Sequence, residues 1–199
     1  MKLKEEGSDL EIYTYPDVNL KDTAVTIGKF DGVHHGHRYL IDILKEKAAE
    51  KKLKTVVFVV DMEDDTSGRL DIEVLKKSMK KASLLTTWDE KVKKLEQMGV
   101  DVVVRCPFTR KISMLRPMMF AKDVLARKLG CKLMVCGDDF HYGRLASGDI
   151  AKLETYGERY GYETFTVERL KEGGEVVSST RIRELIENGK TDEAKKLMS

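Results

Sequence analysis

The sequence predicts an α/β protein in which helices cover both faces of a doubly wound parallel sheet of about five strands. Apolar β-type runs alternate with amphipathic helical segments along the chain, which is the element order typical of parallel sheets. The run at residues 54–60 is continuously apolar and rich in valine, as expected of a strand buried on both faces. Such a fold binds its ligands at the carboxyl ends of the strands.

Local sequence signals give the order and the ends of the elements. Thr87 and Glu90 form a capping box, Pro117 opens a helix and Gly130 follows its end, and Gly173-Gly174 marks a turn. The predicted strands are residues 23–28, 54–60, 100–108, 132–137 and 162–170, and the polar stretch 61–72 is predicted to be a loop. The predicted helices are residues 36–52, 84–99, 117–130, 149–161, 178–189 and 191–198.

Residues 24–37, AVTIGKFDGVHHGH, are the most informative stretch of the chain. A β-type run ends at Gly28, a loop with Gly32 follows, and His34 and His37 lead into a helix. A strand, a glycine turn and a helix N-terminus bind phosphate because free N–H groups and the positive end of the helix dipole face the anion. Two imidazoles would add stabilisation of transition-state charge. We therefore predict His34 and His37 as catalytic residues and Gly28 and Gly32 as nucleotide-binding residues.

The alternative is that these histidines are ordinary cap or surface residues, as a single histidine at a helix start usually is. Three of the four histidines of the chain lie within residues 34–37, which favours the functional interpretation. Phe30 and Asp31 belong to the same loop and are predicted to bind nucleotide with it. Taken alone, Phe30 is typical of a core residue and Asp31 of an Asx-turn.

A second candidate segment follows the fourth predicted strand, at Gly137, Asp138, Asp139 and Phe140. Its place at the carboxyl end of a strand predicts that these residues bind nucleotide. Two adjacent carboxylates are suited to holding Mg²⁺ together with a phosphate, or to accepting a hydrogen bond from a ribose hydroxyl. The alternative is a polar turn with solvated carboxylates, in which Phe140 fills the core. The identity of the metal ligands stays unknown at this point.

A third candidate segment is SSTRIR, at residues 178–183. Arginines in the first turn of a helix oppose its dipole, and a bound anion would relieve that conflict. Hydroxyl groups, backbone N–H groups and a guanidinium together form a phosphate clamp. This predicts Ser178, Ser179 and Thr180 as nucleotide-binding residues and Arg183 as a catalytic residue. The alternative is N-capping by Ser178 or Ser179 with solvated arginines.

Composition and charge exclude several function classes. Of the 199 residues 41% are hydrophobic, which suits a single domain over residues 1–199 with its core at about 22–189. The sequence contains no run of about 18 apolar residues, so no membrane span is predicted. No secretory signal is visible at the N-terminus. We therefore expect a cytoplasmic protein without a membrane partner. The net charge is only +2 and no basic stripe is interleaved with aromatics, so no nucleic-acid partner is expected.

The cysteines and methionines indicate packing rather than chemistry. Cys106, Cys131 and Cys136 form no C-x-x-C pair, so we expect reduced, partly buried thiols and no zinc site. The methionine-containing helix at 117–129 is expected to pack in the core. The oligomeric state is left open, a weak homo-oligomer included.

With its motifs in this order, the chain resembles the FAD synthetase family, the FMN adenylyltransferase module of bacterial bifunctional riboflavin kinases. The similarity runs from about residue 22 to the end, and its first and last motifs are specific in combination. Either motif alone would indicate only the wider H-x-G-H nucleotidyltransferase superfamily. The matching segments are TIGKFDGVHHGH (26–37), LLTTWDEK (84–91), VLARKLGCKLMVCGDDFHYG (124–143), SGD (147–149) and VSSTRIRELIENG (177–189).

The resemblance implies a Rossmann-like fold of the nucleotidyltransferase type and a Mg²⁺-dependent reaction in which FMN and ATP give FAD and pyrophosphate. It implies that His34 and His37 hold the ATP phosphates and that residues 178–183 bind the triphosphate. Residues 137–140 would lie near the nucleotide and the metal, and the partners would be small-molecule nucleotides. The chemistry is an in-line attack by the acceptor phosphate on the α-phosphorus of ATP, which needs alignment and charge compensation but no covalent intermediate.

The chain departs from the family pattern after the second predicted strand and at its end. It reads VVDMEDDTSG at 59–68, without the Pro and His of the usual Phe-Asp-Pro-His-Pro-like stretch, which borders the flavin in the family. This departure concerns FMN as the acceptor and not ATP as the donor. Because the sequence ends at Ser199, we expect no riboflavin kinase domain, and the alternatives are a stand-alone enzyme, a divergent paralogue or a truncated chain. Lys29, where Asn is common, adds a positive charge near the phosphates.

Two alternatives to an FMN adenylyltransferase stay open. One keeps the ATP site but transfers an adenylyl or cytidylyl group to another phosphorylated acceptor. The other is a non-catalytic nucleotide- or flavin-binding paralogue, which the intact histidine and SSTRIR motifs disfavour. If FMN is the acceptor, we expect its flat ring to bind by stacking, with Phe140 and Tyr142 as candidate stacking residues.

Overall fold

Six strands form one parallel sheet in the computed structural model, which describes residues 9–62 and 84–198. The strands are β1 (Glu11–Thr14), β2 (Thr23–Gly28), β3 (Lys54–Asp61), β4 (Val102–Pro107), β5 (Cys131–Gly137) and β6 (Glu163–Val167). Their order across the sheet is β1-β4-β3-β2-β5-β6. The chain therefore builds outward from β2 on one side and returns to its other side at β5. Ligands of doubly wound sheets bind outside the carboxyl ends of the strands at such a reversal.

Helices connect the strands and complete the fold. They are α1 (His35–Lys51), α2 (Trp88–Gln97), α3 (Arg110–Ser113), α4 (Pro117–Met119, continuing as a π-helix over Phe120–Lys128), α5 (Ile150–Tyr160), α6 (Ser179–Glu187) and α7 (Thr191–Met198). A short antiparallel hairpin, β7 (Lys171–Glu172) and β8 (Glu175–Val176), turns at the predicted Gly173-Gly174 pair. A 3₁₀ turn lies at Arg144–Ala146.

The central strands of the sheet are buried on both faces because their side chains alternate between two apolar clusters. Val57 and Val59 of β3 belong to the cluster that contains apolar residues of α1 and α2. Val56 and Phe58 belong to the cluster that contains residues of α4 and α5. This arrangement explains why residues 54–60 are apolar without alternation. A third, smaller cluster joins α6 to α7.

The predicted fold class is confirmed, with a correction to the strand count, which is six rather than about five. The missed strand is β1, which lies at the edge of the sheet, pairs with β4 and precedes the predicted core at 22–189. It has four residues, none of them fully buried, so it lacks the long apolar run that marks a central strand. The loop predicted at 61–72 begins one residue too early, since Asp61 ends β3, and residues 63–72 lie outside the described part.

The three cysteines are buried and unpaired in disulfides, as expected. Burial raises the pKa of the Cys106 and Cys136 thiols to about 12, so both are inert at neutral pH. Within residues 9–62 and 84–198, no helix combines the length and apolar character that a membrane crossing requires.

Candidate active site

A cleft of about 320 Å³ opens at the carboxyl ends of β2 and β5, where the strand order reverses. All three segments singled out from the sequence reach its wall. The predicted residues that line it are Gly28, Phe30, His34, His37, Gly137, Asp139, Phe140, Ser178, Ser179 and Thr180. The other predicted residues are not among the described residues that line it: Asp31, Gly32, Asp138 and Arg183.

The loop between β2 and α1 has a backbone that its neighbours hold in place. Phe30 and Val33 both have positive φ angles, 49° and 42°, which are unusual for residues with a side chain. Asp31 is buried, and its carboxylate accepts hydrogen bonds from the backbone N–H groups of Leu85, at 2.9 Å, and Thr86, at 3.3 Å. The strained loop therefore persists because the chain before α2 is bonded to it.

Phe30 is buried beneath the cleft, and its ring lies 4.9 Å from that of His37. Gly28 has no side chain, and a Cβ there would lie 3.1 Å from the Phe30 ring. Phe30 is therefore a core residue whose ring also supports a candidate catalytic histidine.

The two candidate histidines stack on each other at the start of α1. Their ring centroids are 3.7 Å apart with an interplanar angle of 22°. The backbone N–H of His34 donates to Nδ1 of His37 at 3.3 Å. Since Nδ1 accepts, a neutral His37 carries its proton on Nε2. His37 therefore presents an N–H donor rather than a lone pair from Nε2.

Burial keeps both imidazoles neutral near pH 7. It lowers the pKa of His34 to about 4, although the Asp31 carboxylate opposes the shift. Burial also lowers the pKa of His37 well below its ordinary value, and the nearby His34 and Lys91 add to the shift. Nδ1 of His34 is buried without a hydrogen-bond partner in the described part of the chain. Two neutral rings favour hydrogen bonding to phosphate oxygens over direct charge pairing.

The start of α6 closes the cleft from the other side. Ser178 caps the helix, because its hydroxyl oxygen accepts a hydrogen bond from the backbone N–H of Arg181 at 3.2 Å. The alternative of N-capping is therefore correct for Ser178. The same residue also lines the cleft. The hydroxyl of Ser179 donates to the carbonyl of Asp31 at 2.8 Å. Thr180 is exposed on the wall. The approach is close, because a Cβ at Gly36 would lie 2.9 Å from the carbonyl oxygen of Val177.

Both arginines of α6 are bonded to other protein groups, so the alternative in which these arginines are solvated is wrong. Arg183 forms an ion pair with the buried carboxylate of Asp31. Arg181 donates to the backbone carbonyls of Glu172, at 3.1 Å, and Glu175, at 3.2 Å, and so holds the β7–β8 hairpin. The structure thus places Arg183 behind the wall of the cleft, where it connects α6 to the loop after β2.

The segment after β5 supplies a charged part of the wall. Asp138 and Asp139 both pair with Arg169, at 2.7 and 3.0 Å, so they are not simply solvated carboxylates. Among the described residues, no group of three or more His, Cys, Asp or Glu could hold a metal ion. Phe140 stacks on Tyr142 with centroids 5.7 Å apart. Tyr142 is buried in the core, so of the two candidate stacking residues only Phe140 borders the cleft.

Sequence reasoning missed several residues of the wall. Arg169 and its neighbours at 167–170 lie at and just after the end of β6, the strand beside β5. Tyr39 and Leu40 belong to the first turns of α1. The position of Arg169 near the carboxyl end of the last predicted strand, 162–170, was the available signal. Its pairing partners lie 30 and 31 residues away and leave no local pattern.

Comparison with known proteins gives a consistent result. Residues 17–181 match the family model of FAD synthetase. A bifunctional riboflavin kinase/FMN adenylyltransferase of Escherichia coli (strain K12) is 32% identical over 163 residues, covering 82% of this chain and 50% of that protein. Its counterpart in Listeria monocytogenes is 30% identical over 184 residues, covering 92% of this chain and 55% of that protein. The chain thus spans about half the length of these curated relatives.

A solved structure supports the fold. A macrolide-efflux protein from Streptococcus pneumoniae matches with a TM-score of 0.76 at 24% sequence identity, covering 94% of this chain and 59% of that chain. At this identity the likeness concerns the fold alone.

Proposed function

Because this chain belongs to the FAD synthetase family, we propose that it transfers the adenylyl group of ATP to FMN, giving FAD and pyrophosphate, with Mg²⁺ as the metal. The main support for ATP as donor is that the N-termini of α1 and α6 converge on one cleft. Neither helix has an acidic residue in its first turn, so the positive ends of both dipoles remain available to a polyphosphate.

In this proposal His34 and His37 are the catalytic residues. An oxygen of the FMN phosphate attacks the α-phosphorus of ATP, and the bond from that phosphorus to pyrophosphate breaks as the new bond forms. The neutral rings donate N–H hydrogen bonds to phosphate oxygens, and these bonds strengthen as charge develops. Ser178, Ser179 and Thr180 hold the triphosphate, and Arg183 acts through Asp31 as a positioning residue.

Mg²⁺ takes oxygen ligands and usually binds through one or two carboxylates, with phosphates and waters completing its shell. Asp138 and Asp139 provide oxygens of this kind, and Asp139 lines the cleft, so these residues fit the metal. Both carboxylates would be shared with Arg169, their partner in the structure. When bound, Mg²⁺ would offset the phosphate charge.

Exposed apolar side chains support a flat acceptor such as the flavin. Met114, Met118 and Leu145 are exposed although they are large and apolar. Their segments are joined by a hydrogen bond from the N–H of Arg144 to the carbonyl of Leu115, at 2.6 Å. Exposed apolar groups at the carboxyl edge of a sheet suit a ring that binds by buried area. Phe140 lies on the same loop as Leu145.

The test is incubation with ATP and Mg²⁺ and a panel of phosphorylated acceptors that includes FMN, followed by chromatography of the products. The proposal is supported if FMN is the one acceptor of the panel that reacts with ATP, giving FAD and pyrophosphate. A nucleotide product from another phosphomonoester would show a different acceptor, which the departure at residues 59–65 keeps as the second candidate. ATP binding without any product would indicate a non-catalytic binding protein.

Binding of FMN is tested separately by quenching of its fluorescence. We expect tighter FMN binding with a non-hydrolysable ATP analogue and Mg²⁺, because the metal offsets repulsion between the two anions. No quenching at about millimolar ligand, in a sample that binds ATP, would exclude FMN; so low an affinity corresponds to only about 4 kcal/mol.

A further inference from the structure

Arg169 lies in the wall of the cleft that is proposed to bind the triphosphate. It is the only lysine or arginine among the described residues that line the cleft. Two acids, Asp139 and Glu168, line it as well, and burial keeps both histidines neutral near pH 7. The charged side chains of the wall therefore sum to a negative charge, which repels a polyanion.

The guanidinium of Arg169 is bonded to two carboxylates. Its Nε donates to Oδ1 of Asp138 at 2.7 Å, and its Nη1 donates to Oδ2 of Asp139 at 3.0 Å. All three side chains are at least 40% exposed, and ion pairs with such exposure contribute little to stability. The two loops that carry them are joined separately, because the backbone N–H of Asp138 donates to the carbonyl of Val167 at 3.0 Å. The ion pairs can therefore be exchanged without releasing the loops.

The same two carboxylates would hold Mg²⁺ in the proposed function. A guanidinium and a divalent cation that share these carboxylates repel each other. The guanidinium is the group that can move, because it stands on a long side chain, and its planar fork of N–H donors matches phosphate oxygens as well as carboxylate oxygens. A triphosphate in the cleft offers it such oxygens.

We propose that Arg169 is a further nucleotide-binding residue, whose guanidinium moves from Asp138 and Asp139 to the triphosphate when these carboxylates hold Mg²⁺. Without nucleotide, Arg169 competes with the metal for the carboxylates. With both bound, it contacts the phosphates, so metal and nucleotide favour each other's binding. This inference deepens the proposed function and rests on its assignment of the cleft to the triphosphate and of the two carboxylates to the metal.

The experiment compares Arg169→Gln with Arg127→Gln. Arg127 also pairs with an exposed-face carboxylate, that of Asp123 at 3.2 Å, and is not among the described residues that line the cleft, so its variant loses the same charge elsewhere. Two affinities are measured for each protein. Binding of Mn²⁺ without nucleotide is followed by electron paramagnetic resonance of the free ion, and binding of a non-hydrolysable ATP analogue at saturating Mg²⁺ is followed by calorimetry.

The two affinities should shift in opposite directions in Arg169→Gln. We expect Mn²⁺ to bind about tenfold more tightly, because a competing positive charge is removed. The ATP analogue should bind about tenfold more weakly, the scale of a charge-assisted hydrogen bond. Arg169→Lys keeps the charge and should show smaller shifts of the same signs. Arg127→Gln should bind both ligands as the unmodified protein does.

A purely structural role of Arg169 gives a different result. If the guanidinium only ordered the two carboxylates, its loss would weaken both affinities, and if it had no role in the site, both would stay unchanged. Either result, or a change in one affinity alone, would overturn the inference. Arg169→Gln should unfold at the temperature of the unmodified protein, because the ion pairs are exposed.

Failure of the proposed function is distinguishable from failure of this inference. If the unmodified protein does not bind the ATP analogue, ATP is not the donor, and inorganic triphosphate becomes the probe under the same conditions. Opposite shifts for Mn²⁺ and triphosphate in Arg169→Gln then support the role of Arg169. No binding of triphosphate to the unmodified protein, or any other pattern of shifts, rejects it. None of these measurements uses FMN, so a different acceptor leaves their outcome unchanged.

Discussion

Arg183 and Asp31 form an ion pair that joins helix α6 to the loop after β2, across 152 residues of sequence. The Asp31 side chain is only 5% exposed, and its carboxylate also accepts the two backbone hydrogen bonds from Leu85 and Thr86. One buried carboxylate therefore connects the histidine loop, the start of α2 and the SSTRIR helix. The geometry of the cleft depends on this connection.

Replacing Arg183 by Ala should lower the free energy of unfolding by about 3–5 kcal/mol, because it leaves the buried Asp31 carboxylate without its cation. ATP affinity should fall as well, since the loop that holds the histidines loses an anchor. Denaturant unfolding and calorimetry measure the two effects. Glu184→Ala, an exposed neighbour in α6, is the control.

A double-mutant cycle tests whether Arg183 acts through Asp31. Asp31→Asn combined with Arg183→Ala should cost clearly less than the sum of the two single changes, because each removes the same pair. Strictly additive losses in unfolding free energy would mean that Arg183 acts independently of Asp31.

His37 should be required for the transfer step through its Nε2–H group. His37→Ala should cut turnover by roughly a hundredfold or more while leaving the protein folded. His37→Asn retains an acceptor near the position of Nδ1 but has no donor at Nε2, so it should be as inactive as His37→Ala. His37→Gln extends an amide N–H toward that position and should keep more activity than Asn.

Rates are measured by pyrophosphate release, with circular dichroism as the check on folding. His35→Ala alters the neighbouring histidine, which pairs with Glu172 outside the stacked pair, and should affect turnover much less. Normal turnover in a folded His37→Ala protein would contradict the role assigned to this residue.

Stability should fall as the pH is lowered from 7 toward 4. Between the ordinary histidine pKa of 6.5 and the His34 pKa of about 4, the unfolded chain binds a proton at this residue and the folded protein does not. At about 1.4 kcal/mol per pH unit, His34 lowers the free energy of unfolding by an amount on the order of 3 kcal/mol, and this decrease is complete at about pH 4. Denaturant unfolding at several pH values measures the slope.

Substituting His34 by Asn should flatten this pH dependence, whereas His141→Asn, at an exposed position, is the matched control. His37 acts in the same direction, because burial also lowers its pKa, so part of the slope should remain in the His34 variant. An identical slope in His34→Asn and the unmodified protein would show that this ring titrates normally in the folded state.

Gly36 should not tolerate a side chain. In Gly36→Ala the new Cβ would lie 2.9 Å from the carbonyl oxygen of Val177 and 3.1 Å from Nδ1 of His34, so either the backbone before α6 or the histidine must move. Overpacking of this kind costs about 1–3 kcal/mol, which exceeds the gain in helix propensity of about 1 kcal/mol. Denaturant unfolding should show a lower stability for Gly36→Ala, and titration with ATP should show a lower affinity. If the variant had the stability and ATP affinity of the unmodified protein, the close approach of α1 to the chain before α6 would be contradicted.

Local sequence determined the central strands, the helix caps and the three candidate segments that line the cleft, because their signals lie within a few neighbouring residues. The short, valine-rich apolar run at 54–60 predicts a buried strand, and it forms β3. Thr87 and Glu90 form the capping box that their spacing predicts. The glycines and histidines of residues 28–37 likewise indicate a phosphate site before any tertiary contact is known. For the same reason β1, short and at the sheet edge, left no recognisable signal.

Only the tertiary structure decided which side of the site each charged residue occupies and what it contacts. Arg183 pairs with Asp31, and Arg169 pairs with Asp138 and Asp139. The pairing partners lie about 30 to 150 residues apart, so they are brought together by the strand order and not by sequence spacing. The low pKa of His34 likewise arises from burial, which depends on how the whole chain packs around the ring.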